Sequence, residues 1–85
     1  MMASTNEKIA DGMRDAIRGF TDAQKRFMRE SYDVTQKEML GMENKALFEL
    51  YDELCEDEID AYESGDKKVG EMVASIVTVM GNAIP

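Results

Sequence analysis

Apolar positions recur along this chain at spacings of three and four, the period that places them on one face of an α-helix. In the first segment Ile9, Met13, Ala16, Ile17 and Phe20 make one stripe, with Asp11, Arg14, Asp15 and Arg18 opposite. In the second, Ala23, Phe27, Met28, Ser31, Tyr32, Val34, Met39 and Met42 share half of the cylinder if each residue turns the helix by about 100°. Leu40 points to the wrong side, which predicts that this helix ends there. In the third, Leu47, Phe48, Leu50, Tyr51, Leu54, Cys55, Ile59 and Tyr62 form the apolar half.

The last segment, Lys67 to Met80, is the most apolar, and its β-branched residues would also suit a strand. Helix is the better reading. Its polar positions (Lys67, Lys68, Glu71, Ser75, Thr78 and Asn82) collapse onto one narrow side, whereas a strand needs strict alternation.

Glycines at 19, 41, 65 and 81 separate the segments, and the one proline is Pro85. Ser4-Thr5-Asn6-Glu7 and Thr21-Asp22-Ala23-Gln24 match the capping box, in which a hydroxyl accepts a free backbone N–H and the acid or amide reaches back. Gly12 sits inside the first helix at a cost of about 1 kcal/mol relative to alanine; it marks either the close approach of another backbone or a tolerated weakness. The apolar arcs on either side of Gly41 are centred about 180° apart on a common wheel, so a turn is expected there. The rival solution is one long helix whose halves bury against different partners in an interlocked dimer.

These elements predict an all-α fold: a single domain over 1–85, built as an up-down bundle of four helices at about 5–18, 22–40, 44–63 and 67–81. A chain of this size buries only roughly 60% of its unfolded surface, so its stability is marginal without help. Cys55 is the lone cysteine and there is no histidine, which excludes an intrachain disulfide and the usual zinc constellations. Self-association remains. The apolar arc of the last helix is wider than one neighbour would cover, so a homodimer is expected through Val69, Met72, Val73, Ile76, Val77 and Met80.

Charge changes the picture most. The net charge is −8, and Glu43 to Glu63 holds nine carboxylates against Lys45 alone, a difference that equals the entire excess. On the third helix Glu49, Asp52, Glu53, Glu56, Asp57, Asp60 and Glu63 occupy about 140° of the wheel, and the axis advances about 21 Å from the first to the last. That spaces the carboxylates every ~3.5 Å along the axis on average, close to the roughly 3.4 Å phosphate repeat of one DNA strand. The row is therefore read as a docking face for a basic protein partner, such as a protein that handles nucleic acid. The competing account is a solvated face, or a row neutralised by Arg14, Arg18, Lys25, Arg26 and Arg29.

The remaining features carry less. Glu43 and Glu58 project into the apolar half, where a carboxylate needs a hydrogen-bonding partner or a proton. Asp60 to Glu71 copies four positions of an EF-hand calcium loop, but Tyr62 replaces a ligand, Lys67 takes an apolar position and Lys68 adds positive charge. The basic cluster around Gly19 is interleaved with acids, and the net charge opposes direct nucleic-acid binding. Cys55 has only carboxylates as charged neighbours in sequence and reads as core; the eight methionines read mostly as adaptable filler.

No phosphate loop, nucleophile elbow or metal motif is present, so no cofactor, no metal and no enzymatic activity are expected. The polar N-terminus and the lack of a long apolar run point to a cytoplasmic protein that does not enter membranes. The expected function is a non-catalytic inhibitor or adaptor acting through the acidic helix, with a charge and size like those of small phage or mobile-element proteins that block nucleic-acid machinery. The alternative is a structural assembly module acting through the apolar C-terminal helix.

Overall fold

A computed structural model describes residues 5–84, which form five α-helices and no strand: α1 (Thr5–Arg18), α2 (Asp22–Tyr32), α3 (Gln36–Leu40), α4 (Asn44–Glu63) and α5 (Lys67–Gly81). Two capping boxes start helices. The Thr21 hydroxyl accepts from the Gln24 N–H at 3.1 Å while the Thr21 N–H donates to Gln24 Oε1 at 2.9 Å, which begins α2. Thr35 and Glu38 repeat the arrangement at 3.1 Å in both directions and begin α3. The box proposed at Ser4 lies outside the described residues.

The second capping box corrects the expectation of one helix over 22–40. After Tyr32 the chain enters the left-handed region at Asp33 (φ 53°), and the Val34 N–H closes on the Met28 carbonyl at 3.4 Å. Aspartate tolerates this conformation better than most residues, and a Thr cap contributes about 1 kcal/mol to starting afresh. The misfit of Leu40 on the expected wheel follows, because α3 begins with a new phase. Between α3 and α4 the chain turns through Gly41 to Glu43, so residues 22–63 are not one long helix.

Three polar side chains fasten the short helices. Gln36 donates from Nε2 to the carbonyls of Ile17 (2.9 Å) and Arg18 (3.3 Å) at the end of α1, the first of which also accepts from the Phe20 N–H at 3.2 Å. Gln24, buried despite its amide, donates to Ser75 Oγ at 3.2 Å and ties α2 to α5. Arg14 donates to the Met42 carbonyl at 2.7 Å and to Asn44 Oδ1 at 2.8 Å, holding the α3–α4 turn against α1.

The two long helices form an antiparallel hairpin with a tyrosine over a glycine near each end. A Cβ added at Gly81 would lie 2.8 Å from Tyr51 Oη, and one at Gly70 would lie 3.0 Å from Tyr62 Cε1. The hairpin turns at Gly65, whose φ of 82° favours glycine, and Asp66 Oδ1 accepts from the Val69 N–H at 3.3 Å to start α5. Gly12 meets the chain end closely: a Cβ there would lie 2.6 Å from the Cβ of Ala83. The core joins all five helices, with Met13, Ile17, Met28, Met39, Leu47, Leu54, Val73, Ile76 and Met80 fully buried. The molecule measures 47 × 23 × 18 Å, its long dimension exceeding the roughly 30 Å of α4 itself.

Candidate functional site: the acidic face of α4

Burial of Leu47, Leu50, Leu54 and Ala61 sets the rotation of α4. With that face inward, Glu49, Asp52, Glu53, Glu56, Asp60 and Glu63 are exposed and Asp57 is half-buried. Among the described residues none of the seven makes an ion pair with a basic side chain. Asp57 alone is held by the fold: the Tyr32 hydroxyl donates to its Oδ2. Burial pushes the Tyr32 pKa well above the usual tyrosine value, and the hydrogen bond to Asp57 and the charges of Asp57 and Glu53 push it the same way.

The basic residues that sequence reasoning offered as counter-charges are placed elsewhere. Arg14 is committed to the α3–α4 turn and to Asp11, Arg18 pairs with Asp15, and Lys25 approaches Asp22 at 3.8 Å. Arg26 and Arg29 line a separate open groove of about 300 Å³ with Asp22, Lys25, Thr35 and Gln36. The bundle does not neutralise its own acidic helix among the described residues.

Such a row works against its own helix. Glu49–Glu53, Asp52–Glu56, Glu53–Asp57 and Glu56–Asp60 are like-charge pairs four residues apart, each destabilising by roughly 0.2–0.5 kcal/mol at low salt. The acids are also misplaced for the helix dipole: the first turn of α4 has none, while Asp60 and Glu63 sit at its negative end with no basic residue in the last turn.

A groove of about 490 Å³ runs beside the N-terminal half of the row, between α2 and α4. Val34 and Leu50, both buried, lie with Met42 and Ala46 along its apolar side, and Asp33, Glu49 and Glu53 stand exposed around it with Ser31 and Tyr32. Sequence reasoning missed this groove. The signal for it was the capping box at Thr35, whose helix break carries Asp33 and Val34 to α4.

The expected dimer face divides. Val73, Ile76 and Met80 are fully buried in the chain's own core, which corrects their assignment to a surface for a second copy. The arc looked too wide for one neighbour because α5 has several, packing against α1, α2 and α4. Val69 is exposed, and Met72 and Val77 are half-buried. Ile59 and Tyr62 of α4, at 58% and 48%, are more exposed than any residue of the proposed face.

The other features resolve as follows. Glu43 is exposed at the start of α4; Glu58 is half-buried and, among the described residues, has no arginine paired with it. Cys55 is half-buried beside the Tyr51 hydroxyl, whose pKa burial raises first and the hydrogen bond to Cys55 second. The stretch that partly copies a calcium loop is the last turn of α4, the hairpin turn and the first residues of α5. Among the described residues no three carboxylate or thiol groups converge to hold a metal ion, and no helix is long and apolar enough to cross a membrane. Comparison with protein-family models, curated proteins and solved structures finds no match for this chain.

Proposed function

We infer that the protein is a non-catalytic interaction protein that docks the acidic face of α4 on a basic site of a larger partner, as an inhibitor or adaptor. The observation that carries this reading is a row of seven carboxylates on the surface, with no ion pair to the rest of the fold among the described residues and an arrangement that costs the helix stability. A face kept only for solubility would do as well with its charges interspersed with basic ones. The ~3.5 Å mean spacing fits a groove built for a phosphate backbone, so a nucleic-acid-binding protein of the cytoplasm is the partner class favoured here. Direct nucleic-acid binding by the chain itself is opposed by its net charge of −8.

The test is affinity capture from nuclease-treated bacterial lysate with wild type beside a variant reversed at Glu49, Glu53, Glu56 and Asp60. A basic protein held by wild type and lost from the variant is the expected result. Equal capture by both would sink the reading. Assembly of two copies is the second reading, favoured by the exposure of Val69 and the partial exposure of Met72 and Val77; sedimentation at micromolar concentration with and without Val69→Asp decides it.

A further inference from the structure

The groove between α2 and α4 differs from the rest of the acidic face in being a concavity that gathers apolar side chains from α4 and from the turns before α3 and α4. Further along the row Glu56, Asp60 and Glu63 are exposed beside Ile59 on the helix surface, where a basic partner meets screened charge. At the groove the half-buried Met42 and Ala46, with the edges of the buried Val34 and Leu50, line one concavity together with Asp33, Glu49 and Glu53. That pairing suits a side chain with an aliphatic stem and a cationic head, which buries the stem and keeps the head at the polar rim.

The geometry separates the possible cations. Asp33 comes from the turn after α2 and Glu49 and Glu53 from successive turns of α4, so the charges lie at separate points of the groove's lining. A planar guanidinium, with donors pointing in several directions, meets separated carboxylates better than a compact ammonium does. Tyr32 also lines the groove, and its hydroxyl is tied to Asp57, which fixes this side chain beside the acidic row. The chain supplies no occupant of its own among the described residues: Arg14 and Arg18 are engaged on α1, and Arg26 and Arg29 line the other groove.

We propose that the groove between α2 and α4 seats an arginine side chain of the basic partner, its stem against Met42 and Ala46 and its guanidinium among Asp33, Glu49 and Glu53. This rests on the docking role of α4 and makes its N-terminal half the anchor of the contact, with the C-terminal half contributing long-range attraction.

The experiment measures the binding of fluorescein-labelled nona-arginine by anisotropy. Wild type is compared with Ala46→Trp, which fills the groove without changing charge, with the pair Glu49→Gln/Glu53→Gln, and with the triple Glu56→Gln/Asp60→Asn/Glu63→Gln. Circular dichroism checks each fold; if Ala46→Trp fails to fold, the exposed Glu49/Glu53 pair decides. The expected result is a loss of about ten-fold or more for Ala46→Trp and for the pair, against roughly three-fold or less for the triple, although the triple removes more charge. Nona-lysine should bind wild type more weakly than nona-arginine. If Ala46→Trp and the pair bind like wild type while the triple fails, the groove is overturned and the acidic-face reading stands. If wild type does not bind the peptide at all, both fall. Self-association of the protein alone that Arg26→Gln/Arg29→Gln abolishes would give the groove to a second copy and overturn the assignment to a separate partner.

Discussion

The first half of the chain and α4 use charge in opposite ways. In α1 and α2 the basic groups Arg14, Arg18 and Lys25 each pair with an acid three residues away, and Arg14 also fastens the α3–α4 turn. In α4 seven carboxylates line one face, and only Asp57 is engaged by the fold, through Tyr32. Charge in the first region helps to build the molecule. Charge in the second, Asp57 apart, takes no part in that work, so removing it should leave the fold intact, and that separation makes the functional proposal testable.

The largest contrast lies between inner and outer faces of the α4–α5 hairpin. Ile76→Asp places a carboxylate in the fully buried core and should cost at least about 4 kcal/mol, enough to unfold most of so small a chain, whereas Ile59→Gln at an exposed position should stay within about 0.5 kcal/mol in urea denaturation. Equal effects would mean that the hairpin is rotated from the arrangement described. The basic residues come next. Arg14→Ala removes the donor to the Met42 carbonyl and Asn44 and should cost about 1.5–3 kcal/mol, while Arg26→Ala should be nearly neutral.

Alkaline pH sharpens the comparison at the one place where α4 acidity touches the fold. The Tyr32 pKa is raised in the folded state, first by burial and then by Asp57, so the neutral phenol is favoured by folding. The stability this contributes is complete below the unfolded tyrosine value of about 10 and is lost as pH climbs past it toward the folded-state pKa. The urea midpoint should therefore fall above about pH 10, with a shallower fall in Tyr32→Phe. An unchanged slope in that variant would remove Tyr32 from the account. The smallest effect is the most telling about α4: neutralising Glu56 and Asp60 should raise stability by roughly 0.2–0.5 kcal/mol for each like-charge pair relieved, and the gain should vanish in molar salt. A loss of stability instead would show that the fold uses those charges.

Much of the architecture was legible because helix signals are local. The apolar period marked every long helix, and the Thr21 box was read directly. The Thr35 box has the same form as Thr21 and was passed over, because the apolar positions Val34, Met39 and Met42 extended the wheel of the preceding helix across the break. For Gly12 the sequence left close approach and tolerated weakness equally open, and only the fold, by bringing Ala83 against it, decides for close approach. For the site, the acidic row was fully visible, since its members are on one helix and its spacing follows from helix geometry. The groove was not, because Asp33, Val34, Ala46 and Leu50 meet only after α2 has stopped and α4 has packed beside it.

The sequence by itself determined that this chain is helical, that its net charge is confined to residues 43–63 and that most of those charges occupy one face, since period, caps and spacing act within a few residues of one another. Only the tertiary structure decided that Val73, Ile76 and Met80 belong to the chain's own core rather than to a surface, that the arginines of α1 and α2 do not reach the α4 carboxylates among the described residues, and that an apolar groove opens beside Glu49 and Glu53. Those outcomes depend on which faces meet, and a helix wheel records the direction of a side chain but not what lies opposite it.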